Sequence, residues 1–281
     1  MKKILIMITL AATLIGCCAK KPHYESVNDY PVKQGSLSEM TYSPEATTFS
    51  VWSPNADSVY LNLYADATTV EPLQTLVMCR QKDGSWTKTV KGNLNGQFYT
   101  FRVVEPSSRW QLHETPGIFA KAVGVNGRRA AIIDMATTNP EGWDEDVRPA
   151  FAGAKDAIVY EMHHRDMTIH ATSGVENKGK FLAWTEHGTT TTEGLATGID
   201  HLVELGVTHV QILPSYDYGS VDETRLSDNT YNWGYDPVNY NAPDGGYSTN
   251  PYDPASRIRE MKQMIQALHK AGIRVIMDVV Y

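Results

Sequence analysis

The sequence predicts two kinds of fold in succession, an all-β sandwich and then parallel α/β structure. Between about 48 and 104, apolar residues alternate with polar ones in short runs, which is typical of strands with one buried face. From 157 to 213, a short apolar strand, a helix and a second apolar strand follow one another, as in a βαβ unit. A third strand rich in Val and Ile occupies 273–281. A length of 281 residues accommodates these two domains.

The amino-terminal residues have the parts of a bacterial targeting segment. Lys2 and Lys3 form a basic start, and the apolar run at 4–15 is too short to span a bilayer as a mature helix. The run ends in Leu14-Ile15-Gly16-Cys17, which resembles the bacterial lipobox. This resemblance implies cleavage before Cys17 and a lipid on its thiol, whereas an ordinary secretory peptide would be cut a few residues further on.

Location and partner class follow from these features and from the charge. We expect a signal peptide at 1–16, a polar tether at 17–40, and a bacterial membrane-anchored lipoprotein that faces the periplasm or the cell surface. The formal net charge is −7, and the basic residues are spread along the chain rather than gathered in a stripe. This distribution argues against nucleic acid as a partner.

The sandwich is predicted at 41–110 from its strands and turns. Asp83-Gly84 and Asn95-Gly96 are hairpin signals between strands. A connector with little periodicity follows at 111–150, and we place the domain boundary near Phe151. The residues whose alternation predicts the inward face are Phe49, Val51, Val59, Leu61, Leu63, Tyr99, Phe101 and Val103.

Two helices are predicted between the later strands. The first covers 198–205 and is ended by Gly206; the second begins at Pro254 with Asp253 as its cap and is ended by Gly272. The strands are predicted at 157–165, 207–213 and 273–281. The run at 207–213 contains Val207, Val210, Ile212 and Leu213, and we interpret it as a parallel strand that is buried on both faces.

The residues at 215–252 show neither helical nor strand periodicity, and loops of this length usually have a function. Within them, Trp233 and Tyr235 lie next to Asn232 and Asp236. Flat rings with polar neighbours suit a sugar, which has both C–H faces and hydroxyl groups. The alternative is that both rings fill the core beneath a long loop.

Four stretches resemble one enzyme family. YNWGYDP at 231–237 is similar to the signature of type I pullulanases, the α-1,6-debranching members of the α-amylase superfamily (glycoside hydrolase family 13). The closing VIMDVVY resembles the first conserved region of that superfamily, and YEMHHRD resembles its first barrel strand. TTFSVWSPNADSVYLNLY is similar to the start of a family 48 carbohydrate-binding module. The resemblance implies a module of that kind at 41–110, and the first part of an incomplete α/β TIM barrel at 151–281.

The resemblance also implies an activity, a partner and a set of substrate-binding residues. The activity is retaining hydrolysis of α-1,6-glucosidic linkages in pullulan, starch or glycogen limit dextrins, so the partner is an α-glucan. By resemblance, Tyr235 is the ring that stacks under the sugar at the cleavage point, and Asp278 organises its neighbours deep in the cleft. Trp233, Asn232 and Asp236 complete the set. An equally weighted alternative for Asp278 is a structural hydrogen-bonding role at a strand end.

We assign no catalytic residue in this chain. Retaining hydrolysis uses two carboxyl groups about 5–5.5 Å apart, and the family places them on the fourth and fifth barrel strands. We count three strands, and the sequence ends at Tyr281, before the Asn-His that usually continues the first conserved region. We therefore expect a fragment or a shortened gene product that is inactive alone. Calcium is common in the superfamily, but the sequence identifies no ligands for it.

Two other functions are open at this point. Isoamylase or glycogen-debranching relatives share the sandwich and the DVVY region but usually lack YNWGYDP. A non-catalytic α-glucan-binding lipoprotein, functional at this length, comes from a different class. Coding sequence downstream of Tyr281 would separate an enzyme from such a binder.

Two pairs of side chains have alternative roles. Trp52 and Trp86 either stack on glucan or pack inside the protein, and packing is favoured for each taken alone. His163 and His164 could hold a metal ion, but neighbouring residues of a strand point to opposite faces. Arg165 is expected to share a face with His163, and a cation there disfavours a metal. We therefore favour a hydrogen-bonding role in which the histidines anchor a loop.

Overall fold

The computed structural model describes residues 19–20, 22–105 and 114–281. The expected signal peptide and Cys17 lie outside the described residues. No helix within the described ranges is long and apolar enough to cross a bilayer. The described residues form a β-sandwich, a connector, and a parallel sheet flanked by helices.

Two antiparallel four-stranded sheets form the sandwich. Its strands are β1 (Met40–Tyr42), β2 (Ala46–Trp52), β3 (Ser58–Tyr64), β4 (Gln74–Val77), β5 (Cys79–Arg80), β6 (Ser85–Lys91), β7 (Phe98–Val104) and β8 (Ala130–Ala131). One sheet has the order β1-β2-β6-β5 and the other has the order β4-β3-β7-β8. The last strand, β8, lies in the segment predicted as connector and pairs with β7.

The inward faces of the strands meet in one apolar core, and this confirms the predicted alternation. Phe49, Leu61 and Phe101 are fully buried. The ring of Tyr99 lies edge-on to Phe49, with centroids 5.0 Å apart, and edge-on to Phe101, at 5.4 Å. Edge-to-face aromatic pairs stabilise a core beyond the area they bury. The burial of alternate residues therefore holds the two sheets together.

Of the two predicted hairpins, one is present in the structure and the other is absent. Asp83-Gly84 joins β5 to β6, which pair in one sheet. Asn95-Gly96 lies between β6 and β7, which belong to different sheets. Gly96 has φ +88°, so the dipeptide does make a left-handed turn. The turn chemistry was predicted correctly, but it does not determine whether the next strand returns to the same sheet.

The second half of the chain contains a three-stranded parallel sheet. Its elements in chain order are β9 (Val159–Met162), α1 (Gly198–Glu204), β10 (His209–Ile212), β11 (Tyr216–Tyr218), β12 (Pro237–Pro243), α2 (Pro254–Lys270) and β13 (Arg274–Met277). The sheet order is β13-β10-β9 with both pairings parallel, which confirms the predicted βαβ unit.

Short 3-10 helices occur in both halves of the described chain. They occupy Val27–Asp29, Val125–Gly127, Met135–Thr138, Trp143–Glu145, Ala154–Asp156, Phe181–Thr185, Glu223–Asp228 and Gly245–Tyr247.

Helix α2 packs on both domains. Asp253 caps it by accepting the N–H of Ala255 at 3.0 Å, as predicted. Met264 and Leu268 are buried in the core under the parallel sheet. Ile258, one turn and a half earlier, is instead buried against the sandwich in a cluster that includes Tyr64, Phe98 and Ile133. The helix therefore holds the two domains in contact.

Two predictions about the second half are wrong in their extent. The strand expected at 157–165 ends at Met162, so His163 and His164 lie in the turn that follows it. The region at 215–252 contains the antiparallel pair β11 and β12, whose register shifts at two places. Because each shift interrupts the alternation of side chains, the period of two that would have indicated strands is absent from the sequence.

Candidate functional site

The carboxyl ends of β9, β10 and β13 lie at one edge of the sheet because all three strands are parallel. Two predicted site residues meet at this edge. Tyr235 Oη, in the loop after β10, donates a hydrogen bond to Asp278 Oδ2 at 2.6 Å, just past the end of β13. The aromatic tract and the closing motif are thus joined although 43 residues separate them. In α/β barrels, the edge formed by the carboxyl ends of the strands carries the active site.

Asp278 is bound from a second side by a residue that sequence reasoning missed. Gln211 Nε2, on β10, lies 3.5 Å from Asp278 Oδ2 and 3.4 Å from Glu161 Oε2 on β9. All three strands of the sheet therefore contribute to holding Asp278. The hydrogen bond to this carboxylate, together with burial, raises the pKa of Tyr235 to about 12. The phenol consequently stays protonated near neutral pH and remains a donor to Asp278.

The rings of the aromatic tract are exposed and line an open hollow. Trp233 is 58% exposed and Tyr235 is 42% exposed. Together with Tyr231, Asn232 and Asp236 they surround a hollow of ≈ 370 Å³. Rings that fill a core are buried, so the core-filling interpretation is wrong for both residues. Apolar faces beside polar atoms, in a hollow of this size, suit a small polar ligand with C–H faces.

The loop that carries the rings is fixed at Asn232 and Gly234. Asn232 O accepts a hydrogen bond from His163 Nε2 at 3.0 Å, and its Oδ1 accepts the N–H of Gly234 at 2.7 Å. Gly234 has φ +89°, and a Cβ there would lie 2.9 Å from Pro214 O. Only glycine meets both the dihedral angle and the close approach. The Asn232 side chain thus shapes the loop, while its role toward a sugar stays a prediction.

His163 anchors this loop, as the sequence predicted. Its Nδ1 accepts the N–H of Arg165 at 3.2 Å, so the ring proton lies on Nε2 and is donated to Asn232 O. Burial lowers the pKa of His163, and the neutral ring retains this arrangement of donor and acceptor. Tyr247 Oη lies 3.1 Å from the same Nε2 and contributes a further polar contact.

The expectation that the two histidines point to opposite faces is wrong. The rings of His163 and His164 both lie against Tyr247, with centroids 5.9 and 4.7 Å away. The reason is that the turn after β9 does not alternate side chains as a strand does. Nε2 of His164 lies 2.9 Å from Ser215 Oγ, and burial lowers the pKa of His164 to about 3. This second histidine is therefore a neutral, buried support beneath the loop.

Asp236 is tied to the loop at one carboxylate oxygen. Its Oδ2 accepts the hydroxyl of Ser220, and its backbone O accepts the N–H of Gly219 at 3.1 Å. Its Oδ1 is buried and has no hydrogen-bond partner among the described residues. Asp236 therefore has one oxygen engaged in structure beside the hollow, and a contact with substrate stays a prediction.

The sequence signals for the missed residues differ in strength. Gln211 is a polar residue between the apolar Val210 and Ile212 of β10, which could have identified it. Tyr231 lies in the recognised motif, and its Oη donates to Asp166 Oδ2 at 2.9 Å. Tyr247 stands outside any motif, and only the folded structure places its ring against both His163 and His164.

The calcium implied by the family resemblance can be tested against a cluster of acidic side chains. Asp217, Glu223 and Asp244 are buried, and their oxygens lie within 4.8 Å of one another. The guanidinium of Arg257 already contacts two of them, 3.2 Å from Asp217 Oδ1 and 2.9 Å from Glu223 Oε2. A cation at hydrogen-bonding distance from the same oxygens excludes a second cation there. These residues therefore do not fit a calcium ion.

The two tryptophans of the sandwich have different environments. Trp86 is 5% exposed, belongs to the sandwich core, and donates from Nε1 to Ser53 O at 2.9 Å. The packing interpretation is confirmed for this residue. Trp52 is 37% exposed, and its Nε1 donates to Asp83 O at 3.1 Å. Trp52 therefore remains the tryptophan of the pair that is accessible to a ligand.

A β-sandwich followed by parallel strands, with an exposed aromatic hollow beside Asp278 at their carboxyl edge, is typical of a carbohydrate-binding protein whose second domain begins an α/β barrel. Comparison with known families identifies the same two kinds of domain in the same order. Residues 38–116 match carbohydrate-binding module 48 (isoamylase N-terminal domain), and residues 136–281 match the α-amylase catalytic domain. Because the second match covers more than half of the sequence, the chain belongs to the α-amylase family.

Individual relatives are pullulanases. The chain is 42% identical over 240 residues to a pullulanase of Bacillus subtilis, a match covering 85% of this chain and 32% of that protein. A crystal structure of pullulanase from Paenibacillus barengoltzii, in complex with maltohexaose and α-cyclodextrin, is similar with a TM-score of 0.87 and 50% identity. The match covers 90% of this chain and 39% of the Paenibacillus barengoltzii chain. The chain therefore spans less than two fifths of these relatives.

Proposed function

We propose that this chain forms part of a retaining, pullulanase-type debranching enzyme that acts on α-1,6-glucosidic linkages of pullulan, starch or glycogen limit dextrins. The observation that carries the proposal is the bond between Tyr235 and Asp278, which places an exposed ring at the carboxyl edge of the strands. The similarity to pullulanases, one of them in complex with maltohexaose, supports the same substrate class.

In this proposal the described residues bind and orient the sugar. The faces of Tyr235 and Trp233 stack on the C–H faces of glucose units, and Asp278 holds Tyr235 in place through its hydroxyl. The loop does not need to order itself on binding, because His163 and Gly234 already fix it. No described residue is assigned as nucleophile or as acid/base.

A binding experiment tests the sugar-binding part of the proposal. Affinity for maltotriose and for pullulan is measured by calorimetry and affinity electrophoresis for Tyr235→Ala and Trp233→Ala. We expect each to lose roughly tenfold in affinity, equivalent to ~1.4 kcal/mol. Phe119→Ala is the control, since Phe119 is 41% exposed but lies outside the hollow. Equal affinities for all three variants and the unchanged protein would contradict the proposed site.

A second experiment tests the reaction. The full-length protein that contains this chain is expected to release reducing sugar from pullulan, and more slowly from unbranched amylose. The 281-residue chain alone is expected to release none above a vector control. Preference for glycogen with no cleavage of pullulan would favour the isoamylase-type alternative. Binding of glucan with no hydrolysis by the full-length protein would favour the non-catalytic binder.

We also propose that Cys17 carries a lipid and anchors the protein to a bacterial membrane. The support is the basic start, the apolar run at 4–15 and the lipobox-like tetrapeptide. Labelling of growing cells with a radioactive fatty acid is expected to mark the protein, and Cys17→Ala is expected to abolish the label. An unlabelled protein in the soluble periplasmic or culture fraction would show that the segment is an ordinary secretory peptide.

A further inference from the structure

The most highly charged part of the described interior lies beneath the aromatic loop. Asp217 on β11, Glu223 in the following 3-10 helix and Asp244 after β12 are all buried. Their oxygens lie close enough together to surround one ion. Carboxylates of this kind are the ligands that Ca²⁺ and Mg²⁺ prefer. The cluster therefore has the donor set of a metal site. Whether a metal ion fits depends on the positively charged side chain that already lies among these oxygens.

Arg257 of α2 lies among these ligands and is fully buried. Its Nη1 lies 3.2 Å from Glu223 Oε1 and its Nη2 lies 2.9 Å from Glu223 Oε2, a two-point contact with one carboxylate. The same guanidinium donates to two carbonyl oxygens, Pro243 O at 3.2 Å and Pro251 O at 2.9 Å. Carboxylates and carbonyls around one positive charge are the environment of a protein-bound calcium ion, with the guanidinium in place of the metal.

The backbone is shaped to this guanidinium. A Cβ on Gly245 would lie 2.3 Å from Arg257 Nη2 and 2.5 Å from Glu223 Oε1. Gly245 N donates to the same Oε1 at 2.7 Å. The absence of a side chain at 245 thus allows the loop to close over the ion pair.

The charges are compensated without a metal ion. Lys180 Nζ donates to Gly246 O at 2.7 Å and is attracted electrostatically to Asp244 and Glu223. Arg257 and Lys180 therefore supply two positive charges beside the three carboxylates.

The cluster connects three parts of the chain. Asn239 Nδ2, on β12, donates to Asp217 Oδ2 at 2.7 Å and to Gly127 O at 2.9 Å. Glu223 Oε2 accepts the N–H of Asn126 at 2.7 Å. Asn126 and Gly127 belong to the 3-10 helix between β7 and β8 of the sandwich, and Arg257 belongs to α2. The base of the aromatic loop is thereby bound to both domains.

We propose that Arg257 is a built-in cation that takes the place of a divalent metal ion, so that the base of the aromatic loop is held without metal. Removing the guanidinium would convert the cluster into a divalent-cation site. This inference concerns the loop's support and does not depend on whether the protein hydrolyses pullulan.

The experiment compares thermal unfolding of the purified full-length protein with Arg257→Ala and Arg257→Lys, after chelation and with calcium alone added back. For the unchanged protein and for Arg257→Lys, the unfolding midpoint after chelation is expected to equal the midpoint after calcium is added back. Arg257→Ala is expected to unfold at a lower temperature, and calcium at a hundredfold excess over its dissociation constant is expected to raise that midpoint by a few degrees. Calcium that leaves the midpoint of a folded Arg257→Ala unchanged overturns the inferred conversion.

Metal analysis of the unchanged protein decides the matter if Arg257→Ala does not fold. Protein that has not been chelated is dialysed and its calcium and magnesium are measured, with Asp244→Asn as the matched variant. The inference expects no difference in bound metal between the two proteins. One equivalent of metal that is present in the unchanged protein, absent from Asp244→Asn, and whose removal lowers the midpoint would overturn it.

Discussion

Replacing Gly234 by alanine tests whether the loop is held by its close approach to β10. Gly96 is a matched control, because its φ of +88° is nearly the +89° of Gly234 and a Cβ at Gly96 has nothing within 4 Å. At both positions alanine meets the same unfavourable dihedral angle, worth about 1–2 kcal/mol. The effect of the substitution on the unfolded chain is also the same and cancels in the comparison.

The difference between the two variants isolates the contact with Pro214. A Cβ on Gly234 would lie 2.9 Å from Pro214 O and 3.1 Å from Pro214 Cβ, and both are closer than ordinary van der Waals contact. Overpacking of this kind costs about 1–3 kcal/mol. We therefore expect Gly234→Ala to be less stable than Gly96→Ala by that amount, or to relieve the contact by moving the loop.

Two measurements detect the two possible responses, a loss of stability and a movement of the loop. Urea denaturation gives the free energies of unfolding, and hydrogen exchange reports the amides of 232–236, including the Gly234 N–H that Asn232 Oδ1 accepts. If Gly234→Ala matches Gly96→Ala in stability and the unchanged protein in exchange of these amides, the contact with Pro214 does not hold the loop and our reasoning is wrong.

Three further outcomes are expected. Tyr235→Phe keeps the ring but removes the donor to Asp278, so affinity for maltotriose should fall roughly threefold, less than for Tyr235→Ala, because the bond is partly exposed. Trp86→Ala should lower the free energy of unfolding by about 3–5 kcal/mol, and Trp52→Ala should lower it by clearly less because Trp52 is more exposed, as judged by urea denaturation. The buried ring of His164 stays neutral in the folded protein, whereas the unfolded chain takes up a proton below about pH 6.5. Stability should therefore fall as the pH is lowered from 6.5 toward 3, by up to ~1.4 kcal/mol per pH unit from this residue, and His164→Asn should flatten the slope.

Each outcome has a result that contradicts it. Equal affinities of Tyr235→Phe and Tyr235→Ala would mean that the ring itself makes no contact with sugar. Similar losses of stability for Trp86→Ala and Trp52→Ala would contradict their different burial. An unchanged pH slope in His164→Asn, with the fold retained, would show that this histidine takes up a proton in the folded protein.

Where the signal lies in neighbouring residues, the sequence predicts this protein well. Alternation at 48–104 identified the inward face of the sandwich, and Asp253, Pro254 and Gly272 marked the ends of α2. Motif resemblance, in turn, predicted that Tyr235 and Asp278 belong to one substrate site, and the folded chain brings the two side chains into contact. Patterns of this kind involve neighbouring residues or a short motif, so they can be recognised in the sequence without knowledge of the fold.

The tertiary structure decided what depends on distant residues. Whether Asn95-Gly96 would return the chain to the same sheet, and whether β11 and β12 would pair, depended on partners far along the chain. The link between Gln211 and Asp278 required β9, β10 and β13 to align in register. The role of Arg257 is the clearest case, because helix periodicity places it on α2 but only folding brings it to Asp217 and Glu223. A buried charge is tolerated only where its partners converge, and no pattern of neighbours along the chain records that convergence.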